Sequence, residues 1–435
     1  MGIGVTGLVT YAYFSLASYS LEEDAYGRIT LLWSALFITV SVLYRPVEQL
    51  LSRTIADREA RGAEGVDHLR VAALIQLGLA AVFAVAALVA RDPLQDDLLG
   101  GSSTLYWVLV TAVLAYAASY FARGFLAGNR RFGLYGGLVF MEATSRCLFA
   151  VAVAVGIAEG VNVVALGMAA APIVSLAVVP WALGRRLRSA RRPDDPHVAL
   201  EGAAAGEPTA AAPDEAGPRE PEFTLSHGTG FAAAVLLIMV AEQTFLNAGP
   251  LLVKATEGAE GAALAGFVFN ALLIARAPLQ LFQAVQTSIL PILTRLRASG
   301  EADPFRRSVN LTLAAIAAFS GIVAVVMLAA GPQVMDLFFG GDFDYPRGGL
   351  VLVALGMGLY LAAATLNQAA LARALTRQAA ACWVGSAVAF VTFLVIPGWD
   401  DRVLQVEVGF LAAALLLCGL LYGLYRRDGV QHATR

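Results

Sequence analysis

Apolar runs long enough to cross a hydrocarbon layer recur along almost the whole chain, and this recurrence restricts the fold more than any single motif. A layer of about 30 Å needs roughly 20 apolar residues of helix. Windows near residues 3–20, 29–52, 70–90, 104–122, 133–156 and 161–184 meet that requirement, and after a break six more follow near 230–253, 262–291, 308–331, 348–372, 379–397 and 403–425. Only 14% of the 435 residues are charged, against about 25% in an ordinary soluble protein. The expected fold class is therefore an all-α integral membrane protein with twelve transmembrane helices. No soluble catalytic domain is left over, and no nucleic-acid partner is expected. The opening Met1-Gly2-Ile3-Gly4 has no basic stretch and no small-residue cleavage site follows, so the first run is expected to stay as a helix.

The arginines test the helix count, because cytoplasmic loops of a multi-pass protein carry the excess of positive charge. One set of connections holds Arg53, Arg58, Arg61 and Arg70; Arg123, Arg130 and Arg131; Arg185, Arg186, Arg188, Arg191 and Arg192; Arg295, Arg297, Arg306 and Arg307; and Arg373 with Arg377. The alternate set has only Arg28, Arg91, Lys254, Arg347 and Arg402, mixed with acids such as Glu22, Glu23, Asp24, Asp96, Asp97, Asp400 and Asp401. A missed or invented span would invert every later loop, so the sustained alternation predicts an even count with both termini cytoplasmic. Lys254 is the only lysine among the 30 basic residues, which reads as genomic composition, that of a high-GC bacterium; a bacterial plasma membrane is the expected location.

Residues 185–228 begin with a basic run and continue in Ala, Pro, Glu and Asp without apolar periodicity, the composition of a disordered cytoplasmic linker. It divides the chain into a six-helix N-terminal lobe, 1–184, and a six-helix C-terminal lobe, 229–435. A loose internal repeat supports the division: Ala25-Tyr26-Gly27 and an Arg-Pro helix in the first half, Ala265-Gly266 and an Arg-Ala-Pro helix in the second. Equal lobes of even span number enter the membrane in the same orientation, and the substrate path of such transporters lies between the repeats.

Two arginines fall inside apolar runs, each beside a proline: Arg45-Pro46 and Arg276-Ala277-Pro278. An arginine at the bilayer centre costs roughly 2.5 to 3.5 kcal/mol on insertion scales, so it is a functional residue by default and an anion its natural partner. On the second span, Ser34, Ser41, Arg45, Glu48, Gln49 and Ser52 fall in a stripe about 100° wide; Arg45 also lies far enough along for its side chain to snorkel to the interface. On the eighth span, Arg276, Gln280, Gln283 and Thr287 share a face about 60° wide. Arg276 is roughly 18 Å from the outer end, too deep to snorkel; a structural ion pair is its alternative role. Glu242, near Gln243 and Asn247, reads either as a proton or sodium carrier or as the counter-charge of Arg276. Glu142 has Arg146 four residues on, the better orientation for a helical ion pair, and the two are expected to form a structural pair. The four histidines fall in loops, the linker or a tail, so no intramembrane histidine metal site is expected.

Several stretches then share a pattern. Leu21-Glu22-Glu23-Asp24-Ala25-Tyr26-Gly27 resembles the LGPEEYG-type turn of polysaccharide flippases in the multidrug/oligosaccharidyl-lipid/polysaccharide (MOP, MATE-like) exporter superfamily. Glu48-Gln49 with Ser52-Arg53, Ala275-Arg276-Ala277-Pro278-Leu279 with Phe282-Gln283-Ala284-Val285-Gln286, Leu290-Pro291 and Leu337-Phe338-Phe339-Gly340 extend the resemblance over the chain except the linker. What it implies is two six-helix lobes around a cavity that opens alternately to each side and moves lipid-linked sugars outward. In the related lipid II flippases, arginines on the second and eighth spans are thought to engage the substrate pyrophosphate, which corresponds to Arg45 and Arg276 here. Those flippases carry first-span arginines that this chain lacks, so the peptidoglycan precursor does not carry over as the substrate.

The reading is a flippase for an undecaprenyl-pyrophosphate-linked oligosaccharide, without covalent chemistry or a bound cofactor. Arg276 and Arg45 would hold the pyrophosphate, with Glu48 beside Arg45 and with Gln280, Gln283 and Gln49 toward the sugars. A proton or sodium gradient, or the membrane potential, would drive it, and membrane lipids, a polysaccharide polymerase and glycosyltransferases would be its partners. A major-facilitator or MATE-type small-molecule transporter is one alternative. A membrane glycosyltransferase or polymerase is another, although the longest outward loop, near 332–347, offers mainly Asp336, Asp342 and Asp344.

Overall fold

The computed structural model describes residues 2–60, 67–177, 225–258, 261–274, 276, 302–340, 345–373 and 375–433. Every regular element among them is helical. The N-terminal lobe contains α1 (Gly2–Ser20), α2 (Glu23–Leu43), α3 (Arg45–Ala60), α4 (Asp67–Val89), a π-helical turn at Pro93–Leu98, α5 (Ser103–Gly128), α6 (Phe132–Ala154) and α7 (Val161–Leu176). The C-terminal lobe contains α8 (Leu225–Glu257), α9 (Gly261–Ile274), α10 (Ala302–Phe339), α11 (Arg347–Ala372), α12 (Thr376–Val395) and α13 (Arg402–Ala433).

Nine of these helices, counting α2 and α3 as one span over Glu23–Ala56, are long and apolar enough to cross a membrane among the described residues. The shorter apolar helices Val161–Ser175 and Gly261–Ile274, together with α1, occupy the remaining three of the twelve expected positions. α4 and α10 turn large apolar side chains outward, among them Leu74, Leu77, Ile322 and Leu328, as lipid-facing helices do. One apolar core fills the N-terminal lobe and takes in residues of α9, α10 and α11, whereas a second fills the rest of the C-terminal lobe around Phe245, Phe390 and Phe410.

Helix ends depart from the sequence reading where local chemistry overrides hydropathy. α2 begins at Glu23, not near 29, because Glu23 and Asp24 in its first turn complement the positive helix end. The second span breaks at Tyr44, since Pro46 has no N–H to donate back to Val42. α10 kinks at Ala330 (φ −135°, ψ 16°), just before Gly331-Pro332. α5 continues to Gly128, six residues past the expected end near 122, so Arg123 is a helix residue and not a loop charge. Most of the expected linker lies outside the described residues, but α8 already starts at Leu225.

Alternating helices define two faces. The α1–α2 turn lies at one, here the turn face, and both chain ends lie at the other, the terminal face. At the turn face the lobes are sealed together. A Cβ on Gly27 would sit 1.9 Å from the Ala262 carbonyl oxygen, so only glycine permits α2 and α9 to approach this closely. Leu31 packs there against Ala262 and Ala265. Hydroxyls complete the seal: Tyr26 donates to the Asn270 side chain, whose amide donates to the Tyr345 hydroxyl at 3.0 Å. Tyr11 donates to Leu273 O and Ser18 to Phe339 O, and Tyr19 reaches Asp336 O at 2.8 Å.

Candidate functional site

Below the seal, at mid-depth, the two lobes face each other with charged groups. Arg276 follows α9 about one turn beyond Leu273, roughly 20 Å from the start of that helix. Its guanidinium lies 5.8 Å from the centre of the Phe269 ring, and its Nε and Nη2 are buried without a hydrogen-bond partner. Tyr11 and Tyr360 are the polar side chains in its electrostatic neighbourhood. The other half of the expected polar face, Gln280, Gln283 and Thr287, lies outside the described residues, as does Pro278.

Arg45, the first residue of α3, lies in the electrostatic field of Glu242 of the opposite lobe and of Glu48 on its own helix, without a salt bridge to either among the described residues. The Tyr360 hydroxyl is in polar contact with Glu242 and in the field of both Arg45 and Arg276, so this tyrosine joins the two arginine environments. Glu242 thus stands against Arg45 and not, as one sequence reading had it, as the counter-charge of Arg276. Beside it, Asn247 and Gln243 are buried and joined at 3.2 Å.

Toward the terminal face, Arg45, Glu48, Gln49, Tyr120, Arg123 and Tyr135 line a cavity of about 270 Å³. Tyr135 donates to Glu48 at 3.0 Å, and the Arg123 guanidinium lies 4.6 Å from the Tyr120 ring centre. The expected stripe on the second span divides here. Arg45, Glu48 and Gln49 face the cavity, whereas Ser34 and Ser41 are buried against protein, with 0% and 6% of their surface exposed. The apolar side chains around α2 close over the serines, which the α3 residues beyond the Tyr44 break escape.

The expected Glu142–Arg146 pair does not form. Glu142 is 3% exposed, and its partners come from other helices: Arg123 and Ser119 of α5, and Ser175 of α7 at 3.3 Å. With its carboxylate already satisfied, Arg146 turns toward α2. There it stacks over Trp33 and Phe37, 4.5 and 5.5 Å from the ring centres, with the Tyr116 hydroxyl at 3.5 Å. An arginine on aromatic faces gains cation–π attraction that its planar, weakly hydrated guanidinium suits. Spacing along one helix carries no information about a competitor from a second.

Sequence reasoning missed Arg123, Tyr120, Tyr135 and Tyr360. Arg123 had the one usable signal, an apolar Phe125-Leu126 continuation after it that a helix could bury. The tyrosines look like interface residues until their neighbours are known.

The chain matches no protein-family model. An uncharacterised protein of Mycobacterium tuberculosis is 25% identical over 97% of this chain and 88% of its own length, and a Mycobacterium bovis protein, also uncharacterised, matches equally. Among solved structures, the inward-facing form of a multidrug resistance MATE family transporter of the MOP superfamily superposes with a TM-score of 0.68 at 13% identity, over 99% of this chain and 96% of that one. Its outward-facing form gives 0.52 over 99% and 96%. The Vibrio cholerae MATE transporter VcmN in its bent form gives 0.57 at 15% identity, over 98% and 94%. The class is therefore a multi-pass membrane protein with the fold of the transporters on which it superposes. Within that class its structural neighbours are the MATE transporters of the MOP superfamily.

Proposed function

We propose that the protein is a flippase that exports an anionic lipid-linked saccharide, specifically an undecaprenyl-pyrophosphate-linked oligosaccharide for cell-surface polysaccharide synthesis. The observation that carries this reading is the Arg276 guanidinium at mid-depth between the lobes, with two buried nitrogens unpartnered. A permanently charged group there calls for a bidentate oxyanion, and pyrophosphate matches the guanidinium fork. Arg45 assists, although Glu242 and Glu48 take up part of its charge. Gln49 in the 270 Å³ cavity, with Gln280 and Gln283, serves the sugars.

The alternative suggested by the neighbours' names, extrusion of drugs, favours free acids in the cavity where the drug is an organic cation. Here Glu242 faces Arg45 and Tyr360, Glu142 is bound by Arg123, and Glu48 is hydrogen-bonded by Tyr135. The arginine-rich connections favour a cytoplasmic terminal face. A seal at the turn face then makes this the state that loads substrate from inside, in keeping with the higher score against the inward-facing transporter. A gradient of protons or sodium would reset it, and a polymerase and glycosyltransferases would work on either side of it.

The test is translocation of a fluorescent lipid-linked saccharide in proteoliposomes or spheroplasts. Transport is expected to be lost in an Arg276→Ala, Arg45→Ala double variant that still inserts and folds. Full transport by that variant would sink the mechanism.

A further inference from the structure

One buried acid plays no part in the site above. Glu407, near the turn-face end of α13, is 3% exposed, and its Oε2 has no hydrogen-bond partner. Its carboxylate packs on Gly349 in the first turn of α11 so closely that a Cβ there would lie 2.2 Å from both oxygens. The basic residue nearest in sequence is engaged elsewhere: Arg402 donates to Glu257 at 2.8 Å and to Gln405 at 2.8 Å. The remaining charges around this end do not compensate it. Asp400 and Asp401 precede α13 and are acidic, Lys254 of α8 donates to Gly258 O, Arg347 of α11 is exposed, and the one charged residue of α12, Arg377, sits at its other end.

Two effects compete at this position. Burying a carboxylate anion without a counter-charge carries a desolvation penalty. The N-terminal end of α11 returns only a smaller part of it to an anion. Desolvation wins, and the neutral acid is the form that this packing accommodates. Gly349 also lies four residues after Tyr345, which precedes α11 and whose hydroxyl accepts from Asn270, the residue that takes the inter-lobe bond from Tyr26 at the turn face. The buried acid therefore packs on the first turn of α11, and Tyr345, which holds the latch residue Asn270, sits in the segment just before that turn.

We propose that Glu407 is a proton-binding site that controls this latch. With the proton bound, the first turn of α11 seats on α13 and the turn face is closed. When the carboxyl O–H breaks and the proton passes to water at that face, the anion must be hydrated. α11 then lifts from α13, and Tyr345 releases Asn270. Resting on the exporter reading, this makes the outer gate respond to pH at the turn face, where the proton is both taken up and released, and it moves no net proton across the membrane.

The test uses the full chain in lipid nanodiscs without substrate. The free cysteines Cys147, Cys382 and Cys418 are replaced, and spin labels are placed at the exposed turn-face positions Trp107→Cys and Leu337→Cys of the two lobes. Acid is expected to favour the closed distance, with the closed-to-open ratio falling by up to about tenfold per pH unit as pH rises through the titration. Glu407→Gln stays closed at every pH, Glu407→Asp keeps a titration, and Gly349→Ala, which displaces the carboxylate, favours the open distance throughout. The infrared band of a protonated carboxylic acid, present in the wild type, is lost in Glu407→Gln. A pH-independent wild type, or a Glu407→Gln variant that titrates like it, overturns the proposal. None of these measurements involves a lipid-linked saccharide, so their failure leaves the Arg276 reading standing, and its failure leaves them interpretable.

Discussion

The lobes meet in two different ways at the two ends of their interface. At the turn face the close-packed contact is neutral, Gly27 against Ala262 and then a run of tyrosine and serine hydroxyls given to backbone oxygens and to Asn270, and the charges there, Asp24, Arg28, Asp96, Asp97 and Lys254, stand around a separate cavity of about 710 Å³. At mid-depth and toward the terminal face it is ionic and open, with Arg45, Glu48 and Arg123 around a cavity and Glu242 across from Arg45. Close-packed neutral groups form a seal because each fits only one partner geometry. Charges at the edge of a cavity stay usable, since water or a ligand can replace any one of them. The difference assigns the barrier function to the first region and the binding function to the second.

Breaking the seal by volume should have the largest effect. A leucine at Gly27 has to push α9 away, and overpacking of this kind costs about 1 to 3 kcal/mol or more. Gly27→Leu is expected to shift the closed-to-open ratio at the turn face by roughly tenfold to a hundredfold. The protein should remain folded, because the core around Phe245, Phe390 and Phe410 lies within the C-terminal lobe and most of the other core lies within the N-terminal lobe. Accessibility of a cysteine placed at Leu31 to a membrane-impermeant reagent reads the shift; unchanged protection would mean that the seal lies elsewhere.

Next comes the charge that the other region leaves unpartnered. A hydrogen bond to a charged group contributes about 1.5 to 3 kcal/mol, so Arg276→Gln is expected to weaken binding of a pyrophosphate-bearing lipid by roughly 10- to 150-fold. Arg276→Lys should recover only part of it, because an ammonium cannot present the two parallel donors. Equal affinity in the lysine variant would argue against bidentate recognition.

The fold was legible because hydropathy and arginine alternation are properties of whole spans, and errors of a few residues do not alter them. The site was half legible. Arg45, Glu48 and Gln49 sit within one turn of one helix, and they reach one cavity as the 3.6-residue period requires. Arg123, Tyr120 and Tyr135 come from α5 and α6, and which helices pack against α3 is a tertiary fact that no periodicity in α3 encodes. The failure of the Glu142–Arg146 pair has the same origin, since the winning partner is nineteen residues away on α5. Two segments that carried the family resemblance, Leu21–Gly27 and Leu337–Gly340, turn out to lie together at the turn-face seal, where Ser18 and Tyr19 hold the second beside the first.

A finer probe of the seal removes one hydroxyl. Tyr26→Phe deletes a donor to Asn270 and leaves a buried amide oxygen short of a partner, at about 1 to 3 kcal/mol. That range converts to roughly 5- to 150-fold, and the latch is expected to open more readily by the lower part of it, below Gly27→Leu, because Tyr11, Ser18 and Tyr19 still bridge the lobes. An effect as large as that of the glycine would show that the hydrogen-bond chain, not the close backbone approach, dominates the seal.

The smallest expected effect comes from the facing charges of Arg45 and Glu242, and it separates the two regions most directly. Arg45 and Glu242 are partly accessible and share their charges with Glu48 and Tyr360, so replacing either one leaves other partners in place. Pairs of this kind contribute up to about 1 kcal/mol and are screened by salt. Arg45→Gln alone should lower substrate affinity by roughly threefold, whereas Glu242→Gln alone should raise it by freeing Arg45. Both changes should shrink between low and high ionic strength. The turn-face variants, which alter only neutral groups, should show no such dependence. A double-mutant cycle over Arg45 and Glu242 at two salt concentrations measures this. Additive single effects would mean that the lobes do not communicate through this pair, and salt dependence in Gly27→Leu would erase the distinction between seal and binding cavity.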